Sequence, residues 1–163
     1  MIMKTLTAVI LAAGESTRMR SARPKALHLL GGRRLIDYPV RVARALGARI
    51  VLVVGRGADD VRAAVGEAPD LAYVEQKERL GTAHALLQAR GACGDGAGAV
   101  LVLPGDQPLM SEALLRALLD HHRSTAAAAT LLTAEVEDPA GYGRVIREGG
   151  RPVAIIEHRD ATA

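Results

Sequence analysis

Three stretches of the chain are apolar at nearly every position, and each ends in glycine followed by polar residues. They are LTAVILAAG (6–14), ARIVLVVGRG (48–57) and AVLVLPGD (99–106). Continuous rather than alternating apolar character is typical of strands that are covered on both faces in a parallel sheet. The pattern therefore predicts three buried parallel strands.

Helical patterns lie between and after these strands. The first is LIDYPVRVARAL (35–46), in which Pro39 is compatible with a helix that begins near it. Three later segments also have helical patterns: ADDVRAAVGEA (58–68), GTAHALLQAR (81–90) and SEALLRALLDHHR (111–123). Ser111 is a candidate N-cap for the last of these helices.

The remaining apolar segments complete the predicted order of elements. AYVEQ (72–76) is a short strand, AAAATLLTAEV (126–136) predicts a further strand, and YGRVIREG (142–149) with RPVAIIEH (151–158) predicts a hairpin. Strands that alternate with helices indicate an α/β fold, here a three-layer α/β/α sandwich around a doubly wound, mostly parallel sheet. At 163 residues the chain is long enough for one domain.

The loops at one edge of this sheet are the expected location of a ligand site. In doubly wound sheets, ligands bind beyond the carboxyl ends of the strands. We therefore expect one crevice to be lined by the loops 14–25, 75–82 and 104–108.

Composition narrows the classes of function. Aromatic residues make up 2% of the chain, so there are no platforms for stacking nucleic-acid bases. The net charge is +3 and the basic residues are spread along the chain, which argues against a nucleic-acid binder. The single cysteine, Cys93, fits a reducing compartment. No stretch approaches the ~18 to 20 apolar residues of a membrane span. We expect a soluble cytoplasmic protein that binds neither nucleic acid nor membrane.

The first loop concentrates positive charge in LAAGESTRMRSARPKALH (11–28). It contains neither the GxGxxG dinucleotide fingerprint nor a P-loop. It does offer a glycine turn with Arg18 and Lys25, and backbone amides with cations are what a triphosphate requires. Two interpretations stay open at this point, a solvated basic loop and a phosphate site, and Arg20 and Arg23 are interpreted as surface charge.

Two further loops carry candidate ligand groups. Asp106, in PGDQPLM (104–110), follows a central strand and could hold Mg²⁺ against a phosphate, or could cap a turn. Gln76 can donate and accept hydrogen bonds to a base edge, and Gly81 with Thr82 opens a helix with free N–H groups. Gly81 could equally be a turn residue, and His84 receives no role.

The last candidates lie in GYGRVIR and AIIEHRDA. Gly143 could allow close approach of backbone to a ligand, and Glu157 could accept hydrogen bonds from sugar hydroxyls. A hairpin bend and a surface carboxylate are the alternatives. Cys93 has no base nearby in sequence and is interpreted as unreactive.

Several of these motifs occur together, in one order, as LAAGESTRM with RPKALH, EQKERLGTAHA, PGDQPL, GYGRVIR and IIEHRDA. Together they resemble the uridyltransferase domain of the bacterial bifunctional N-acetylglucosamine-1-phosphate uridyltransferase/glucosamine-1-phosphate acetyltransferases. The resemblance covers essentially the whole chain. It implies a Rossmann-like sugar-nucleotidyltransferase fold and a cytoplasmic, Mg²⁺-dependent synthesis of UDP-N-acetylglucosamine and pyrophosphate, for cell-wall peptidoglycan, from UTP and N-acetylglucosamine 1-phosphate.

The resemblance also implies roles for individual residues. Arg18 and Lys25 would bind the triphosphate and act in catalysis, and Asp106 would hold the metal. Gly143 and Glu157 would contact the sugar. The uridine nucleotide would be held by Leu11, Ala12, Ala13, Gly14, Lys25, Gln76, Gly81 and Thr82.

The sequence departs from the family pattern at Ser16, where the motif usually has glycine, and at Pro104, where relatives usually carry Tyr. The chain ends at Ala163, whereas the family continues with a later metal ligand and a trimerising acetyltransferase β-helix. We therefore expect residues 1–163 to form a partial nucleotidyltransferase domain and to be monomeric. The alternatives are a transferase that uses another NTP with a sugar or alcohol phosphate, and a non-catalytic nucleotide-binding module.

Overall fold

The computed structural model of the chain describes residues 6–14, 19, 21–78, 80–94 and 98–160, with only the backbone at Arg159. These residues belong to two compact units, Met1–Ala117 and Leu118–Ala163. Each unit is described by itself.

The first unit alternates strands and helices, as the sequence pattern predicts. Its elements in chain order are β1 (Leu6–Leu11), β2 (Leu29–Leu30), β3 (Arg33–Arg34), α1 (Asp37–Ala45), β4 (Arg49–Val54), α2 (Ala58–Val65), β5 (Leu71–Glu75), α3 (Thr82–Gln88) and β6 (Ala99–Pro104).

Four of these strands form a parallel sheet in the order β5-β4-β1-β6. Val9 of β1 lies opposite Val51 of β4 on one side and Val102 of β6 on the other. The chain builds outwards from β1 to β5 and then returns to place β6 on the opposite side of β1. The strand order therefore reverses at β1, and the predicted doubly wound, Rossmann-like class is confirmed.

The two central strands are covered on both faces. Val9, Val51 and Val53 pack with Ala85 and Ala89 in one cluster, beneath α3. Side chains alternate between faces along a strand, so the neighbouring residues point to the opposite face. Those neighbours are also fully buried: Ala8, Ile10, Ile50 and Leu52. Helix α1 contacts β1 and β4.

Strand β6 differs from the sequence-based expectation of burial on both faces. Leu101 and Leu103 are buried, whereas Val100 is 50% exposed and Val102 is 39% exposed. The alternation arises because the described residues cover only one face of β6. An apolar run alone does not distinguish this arrangement from a strand covered on both faces.

A small hairpin between β2 and β3 was not predicted from the sequence. Its two-residue loop consists of Gly31 and Gly32, both with positive φ (56° and 76°). Two consecutive positive φ values are required in a type I′ turn, which joins strands with the right-handed twist of a hairpin. The Gly-Gly dipeptide is the signal that could have identified it.

Helix α4 (Glu112–Thr125) begins in the first unit and ends in the second. Its start is capped as predicted, because the Leu114 N–H donates to Oγ of Ser111 at 3.2 Å. The second unit also contains an antiparallel pair, β7 (Arg144–Glu148) and β8 (Arg151–Ile156). The predicted hairpin is therefore confirmed.

The strand predicted over residues 126–136 is wrong, because the structure has no strand or helix in that segment. Its apolar side chains remain substantially exposed, with Leu131 at 48%, Leu132 at 44% and Val136 at 48%. A strand requires a partner for its backbone groups, and none of the described strands pairs with this segment.

Among the described residues, none of the helices combines the length and the apolar character that a membrane crossing requires.

Candidate functional site

A cavity of about 460 Å³ opens at the carboxyl ends of β1 and β6, and the described residues that line it all belong to the first unit. Its position at the reversal of strand order is where doubly wound sheets bind ligands. Its volume lies within the range of small-molecule sites, roughly 300 to 1,000 Å³. The lining comes from the three predicted loops, from the end of β1 with the two residues after it, from Ala26 and from the start of α3: Leu11, Ala12, Ala13, Gly14, Lys25, Ala26, Gln76, Gly81, Thr82, Ala85, Pro104, Gly105 and Asp106.

The structure brings together most of the residues singled out from the sequence. All eight candidate nucleotide-binding residues line this cavity, and so does the candidate metal ligand Asp106. Arg18 lies outside the described residues, as do Ser16 and Arg20. Gly143 and Glu157 lie in the second unit.

The loop after β1 is held from both sides by neighbouring strands. The Ala12 N–H donates to the Val53 carbonyl at 2.8 Å, and the Gly105 N–H donates to the Leu11 carbonyl at 2.9 Å. Glycine is needed for this close approach. A Cβ at Gly105 would lie 2.8 Å from the Leu11 carbonyl oxygen, and one at Gly55 would lie 2.9 Å from that of Ala13. The position of the loop is therefore set by backbone contacts.

Lys25 begins a single 3-10 turn, Lys25–Leu27, in which Ala26 and Leu27 are buried. The Ile36 N–H donates to the Ala26 carbonyl at 3.0 Å, which ties the turn to the start of α1. Lys25 Nζ lies 2.5 Å from Oδ2 of Asp106, and the two side chains are 38% and 39% exposed. A cation and a carboxylate therefore face each other at the cavity.

Gln76 follows β5, and its backbone N–H donates to the Val54 carbonyl at 2.8 Å. Its side chain is only 6% exposed, although it lines the cavity. The side-chain Nε2 lies 3.2 Å from the Gly81 carbonyl oxygen and 3.0 Å from Nδ1 of His84. His84 Nε2 lies 3.0 Å from the amide nitrogen of Gln88. A polar chain thus runs from the cavity wall along α3.

The donor set at the cavity suits Mg²⁺ in the presence of a phosphate ligand. Among the described residues, no three His, Cys, Asp or Glu side chains cluster as an all-protein metal site. Mg²⁺ characteristically keeps water ligands and takes one or two carboxylates together with substrate phosphates. Asp106 is the acidic residue among the described lining residues, and it can supply one such carboxylate.

Cys93 is half-buried and carries a free thiol. Burial raises its pKa, with a smaller opposing effect from the positive charge of Arg49. A raised pKa disfavours the thiolate, which is the reactive form. The structure therefore agrees with the interpretation of Cys93 as unreactive.

In the second unit, Gly143 and Glu157 lie at the open end of the β7–β8 hairpin. A Cβ at Gly143 would lie 3.8 Å from Glu157 Oε2, in ordinary van der Waals contact, so the two residues are neighbours. They can therefore present backbone and carboxylate to one common ligand. Their proposed role in sugar binding stays a prediction.

The fold is a doubly wound α/β domain with a cavity at the reversal of its strand order, and sequence comparison identifies the family. The MobA-like NTP transferase domain matches residues 8–159. The chain belongs to this family.

Curated proteins of similar sequence include the bifunctional protein GlmU of several bacteria. The chain is 52% identical over 160 residues to the bifunctional protein GlmU of Pelotomaculum thermopropionicum, covering 96% of this chain and 34% of that protein. It is 46% identical over 159 residues to GlmU of Syntrophotalea carbinolica, covering 97% of this chain and 34% of that protein. The chain thus spans about a third of the length of the curated relatives that it matches.

Solved structures give the same fold. A putative glucose-1-phosphate thymidylyltransferase from Bacillus anthracis superposes with a TM-score of 0.81 at 20% identity, over 94% of this chain and 65% of that one. Rv0371c from Mycobacterium tuberculosis H37Rv gives a TM-score of 0.61 at 30% identity, over 76% of this chain and 63% of that one.

The contact between His84 and Gln76 was not predicted from the sequence. Gln76 is eight residues earlier than His84, across the turn between β5 and α3. That spacing belongs to neither a helix nor a strand, so no periodicity could indicate the contact. The GTAHA motif was the available signal.

Proposed function

We propose that this chain binds UTP in the cavity at the carboxyl ends of β1 and β6 and transfers its uridylyl group to N-acetylglucosamine 1-phosphate. The observation that carries the proposal is the gathering of eight candidate nucleotide-binding residues and Asp106 around one cavity. Its relatives named GlmU support the choice of reaction.

In this proposal the nucleoside occupies the end of the cavity near Gln76, Gly81 and Thr82. The side-chain amide of Gln76 is buried and fixed, so it can distinguish donors from acceptors on a base edge. The triphosphate lies towards Lys25 and the backbone of the loop after β1, where a cation and N–H groups can neutralise its charge.

The chemistry is an in-line displacement at the α-phosphorus. A phosphate oxygen of the sugar phosphate forms the new P–O bond, while the bond between the α-phosphorus and the bridging oxygen to the β-phosphorus breaks. That bridging oxygen leaves with the pyrophosphate, so no protein nucleophile is required. The residues act by positioning and by electrostatic stabilisation, as is general for phosphoryl-type transfer.

Bound Mg²⁺ supplies charge neutralisation at the phosphates. Asp106 would be its ligand from this chain, and Lys25, released from Asp106, would stabilise charge on the phosphates. Gly143 and Glu157 are proposed to contact the sugar. We propose that the chain acts as a monomer in the cytoplasm, where its single cysteine stays reduced.

The experiment is calorimetric titration of the chain with UTP, CTP, GTP and dTTP in the presence of Mg²⁺. The proposal predicts that UTP binds most tightly and that Lys25→Met weakens UTP binding by roughly tenfold to a hundredfold, since hydrogen bonds to charged groups contribute about 1.5 to 3 kcal/mol. Arg33→Met is the matched control, because Arg33 is an exposed cation of β3 and does not line the cavity.

Product formation is measured next, as pyrophosphate released on adding N-acetylglucosamine 1-phosphate. Preference for GTP, CTP or dTTP would instead indicate a transferase that uses another NTP. Tight UTP binding without pyrophosphate release would indicate a nucleotide-binding module. Absence of nucleotide binding by the folded chain would contradict the proposal.

A further inference from the structure

The side chain of Gln76 is the most buried polar group at the cavity, and the direction of its amide decides what the cavity can recognise. Thr7 and Gln76 are the buried polar side chains of the described core, and Gln76 is the one that lines the cavity. An amide has an acceptor oxygen on one side and a donor nitrogen on the other. If protein groups bind the nitrogen, the oxygen faces the ligand; if they bind the oxygen, the nitrogen does.

The Gly81 carbonyl identifies one side of this amide. A carbonyl oxygen only accepts, so the group that lies 3.2 Å from it must be the NH₂ of Gln76. The same nitrogen lies 3.0 Å from Nδ1 of His84. Its first hydrogen is directed to Gly81, so its second hydrogen is available to the ring. Nδ1 of His84 must therefore be the unprotonated, accepting nitrogen.

The other ring nitrogen then carries the proton. Nε2 of His84 lies 3.0 Å from the amide nitrogen of Gln88, and two N–H groups cannot bond to each other. A half-turn of the Gln88 amide exchanges its oxygen and nitrogen in place, as is commonly required for this side chain. His84 Nε2–H then donates to that oxygen. The chain from Gln88 through His84 to Gln76 has one consistent direction.

Oε1 of Gln76 is left over. It accepts no hydrogen bond from any of the described residues. No side-chain nitrogen or oxygen among the described residues is both fully enclosed and without a partner, so this oxygen is accessible from the cavity. A buried side chain thus offers the cavity one acceptor that has no partner among the described residues.

We propose that His84 is a positioning residue that sets the base selectivity of this cavity by holding the Gln76 amide with its oxygen towards the ligand. An acceptor fixed in this way selects a base that presents a ring N–H, as the imide of uracil does. It disfavours cytosine, whose corresponding ring nitrogen is an acceptor. This inference rests on the proposed function, since it takes a pyrimidine nucleotide to be the ligand.

The first test compares His84→Phe with His84→Asn by calorimetric titration with UTP and CTP in the presence of Mg²⁺. Phe keeps a planar ring but removes the acceptor, so we expect UTP affinity to fall roughly tenfold and the preference for UTP over CTP to fall with it. Asn places a side-chain oxygen near the position of Nδ1, so it should keep the preference within about threefold of the unmodified chain. His121→Phe, at an exposed histidine of α4, is the control.

A loss of affinity that is equal for UTP and CTP in His84→Phe would overturn the positioning role, because a merely structural role affects both alike. A second measurement does not depend on a variant or on nucleotide binding. Long-range proton–nitrogen NMR of the unmodified chain should show Nδ1 of His84 unprotonated and Nε2 protonated. The opposite tautomer would overturn the inference. Failure of UTP binding to the unmodified chain would overturn the proposed function and, with it, the selectivity assigned to His84.

Discussion

Lys25 Nζ and Asp106 Oδ2 lie 2.5 Å apart at the mouth of the cavity, although 81 residues separate them in sequence. Both side chains are more than a third exposed, and ion pairs at such positions contribute little to stability, about 0 to 1 kcal/mol. The pair can therefore be exchanged for ligands at small cost. In the proposed function, Mg²⁺ takes the carboxylate and the triphosphate takes the ammonium group.

Asp106→Asn tests this exchange. The variant removes the proposed carboxylate for Mg²⁺ and releases Lys25 from its partner. We expect UTP binding without Mg²⁺ to be unchanged or tighter, and we expect the gain in affinity on adding Mg²⁺ to be lost. Calorimetric titration with and without EDTA measures both. An undiminished gain from Mg²⁺ in the variant would contradict the assignment of Asp106.

Gly105→Ala tests the packing that positions the loop after β1. The added Cβ would lie 2.8 Å from the Leu11 carbonyl oxygen and 3.2 Å from the Ala12 Cβ, so backbone must move. We expect a loss of about 1 to 3 kcal/mol in the free energy of unfolding, measured by urea denaturation, together with weaker UTP binding. Gly91→Ala is the control, because a Cβ there would meet nothing within 4 Å. If the two variants were equally stable, the close packing of Gly105 against Leu11 would not be needed for stability, contrary to this prediction.

Asp70→Asn tests the ion pair between α1 and the residue before β5. Arg44 Nε donates to Asp70 Oδ2 at 2.8 Å, and this hydrogen bond lowers the pKa of Asp70 below its ordinary value of 3.8. A lowered pKa means that the stabilisation is present above about pH 3.8 and is lost as the pH falls through the lowered value. We expect the free energy of unfolding of the unmodified chain to exceed that of the variant by at most about 1 kcal/mol at neutral pH, because the ion pair is exposed.

Urea denaturation at several pH values measures this difference, which should narrow in acid. Arg44→Met should give a similar loss at neutral pH, and the double variant should lose little more than either single variant. Additive losses would show that the two side chains stabilise the fold independently.

Ser111→Ala tests the start of α4. The variant removes the oxygen that accepts from the Leu114 N–H, and loss of an N-cap typically costs about 1 kcal/mol. Ser111→Gly should cost only a few tenths of a kcal/mol, since glycine is tolerated at this position. Urea denaturation followed by circular dichroism compares the two. A variant Ser111→Ala as stable as the unmodified chain would show that the cap contributes nothing.

The central sheet could be predicted from the sequence because its signal is local. Ile10 and Leu52 are fully buried and lie within apolar runs, and in β1 and β4 such runs correctly predicted burial on both faces. The segment 126–136 is also mainly apolar but pairs with none of the described strands, and pairing is not encoded in the segment itself. The sequence therefore predicts strands reliably only where the rest of the fold supplies neighbours.

The candidate site could be predicted as a set of loops but not as a set of contacts. The carboxyl ends of parallel strands meet at one edge, which was sufficient to bring Gln76 and Asp106 to the same cavity. The ion pair between Lys25 and Asp106 and the hydrogen bond between Gln76 and His84 depend on side-chain geometry in three dimensions. No spacing in the sequence carries that information.

Amide chemical shifts of the ¹⁵N-labelled chain, mapped as UTP and Mg²⁺ are added, show directly whether nucleotide binds in this cavity. We expect saturable shifts concentrated in residues 11–14, 76–82 and 104–106, with the hairpin of residues 144–156 much less affected by nucleotide alone. A dispersed spectrum that does not respond to UTP, or shifts that leave the cavity residues unchanged, would contradict the assignment of this cavity as a nucleotide site.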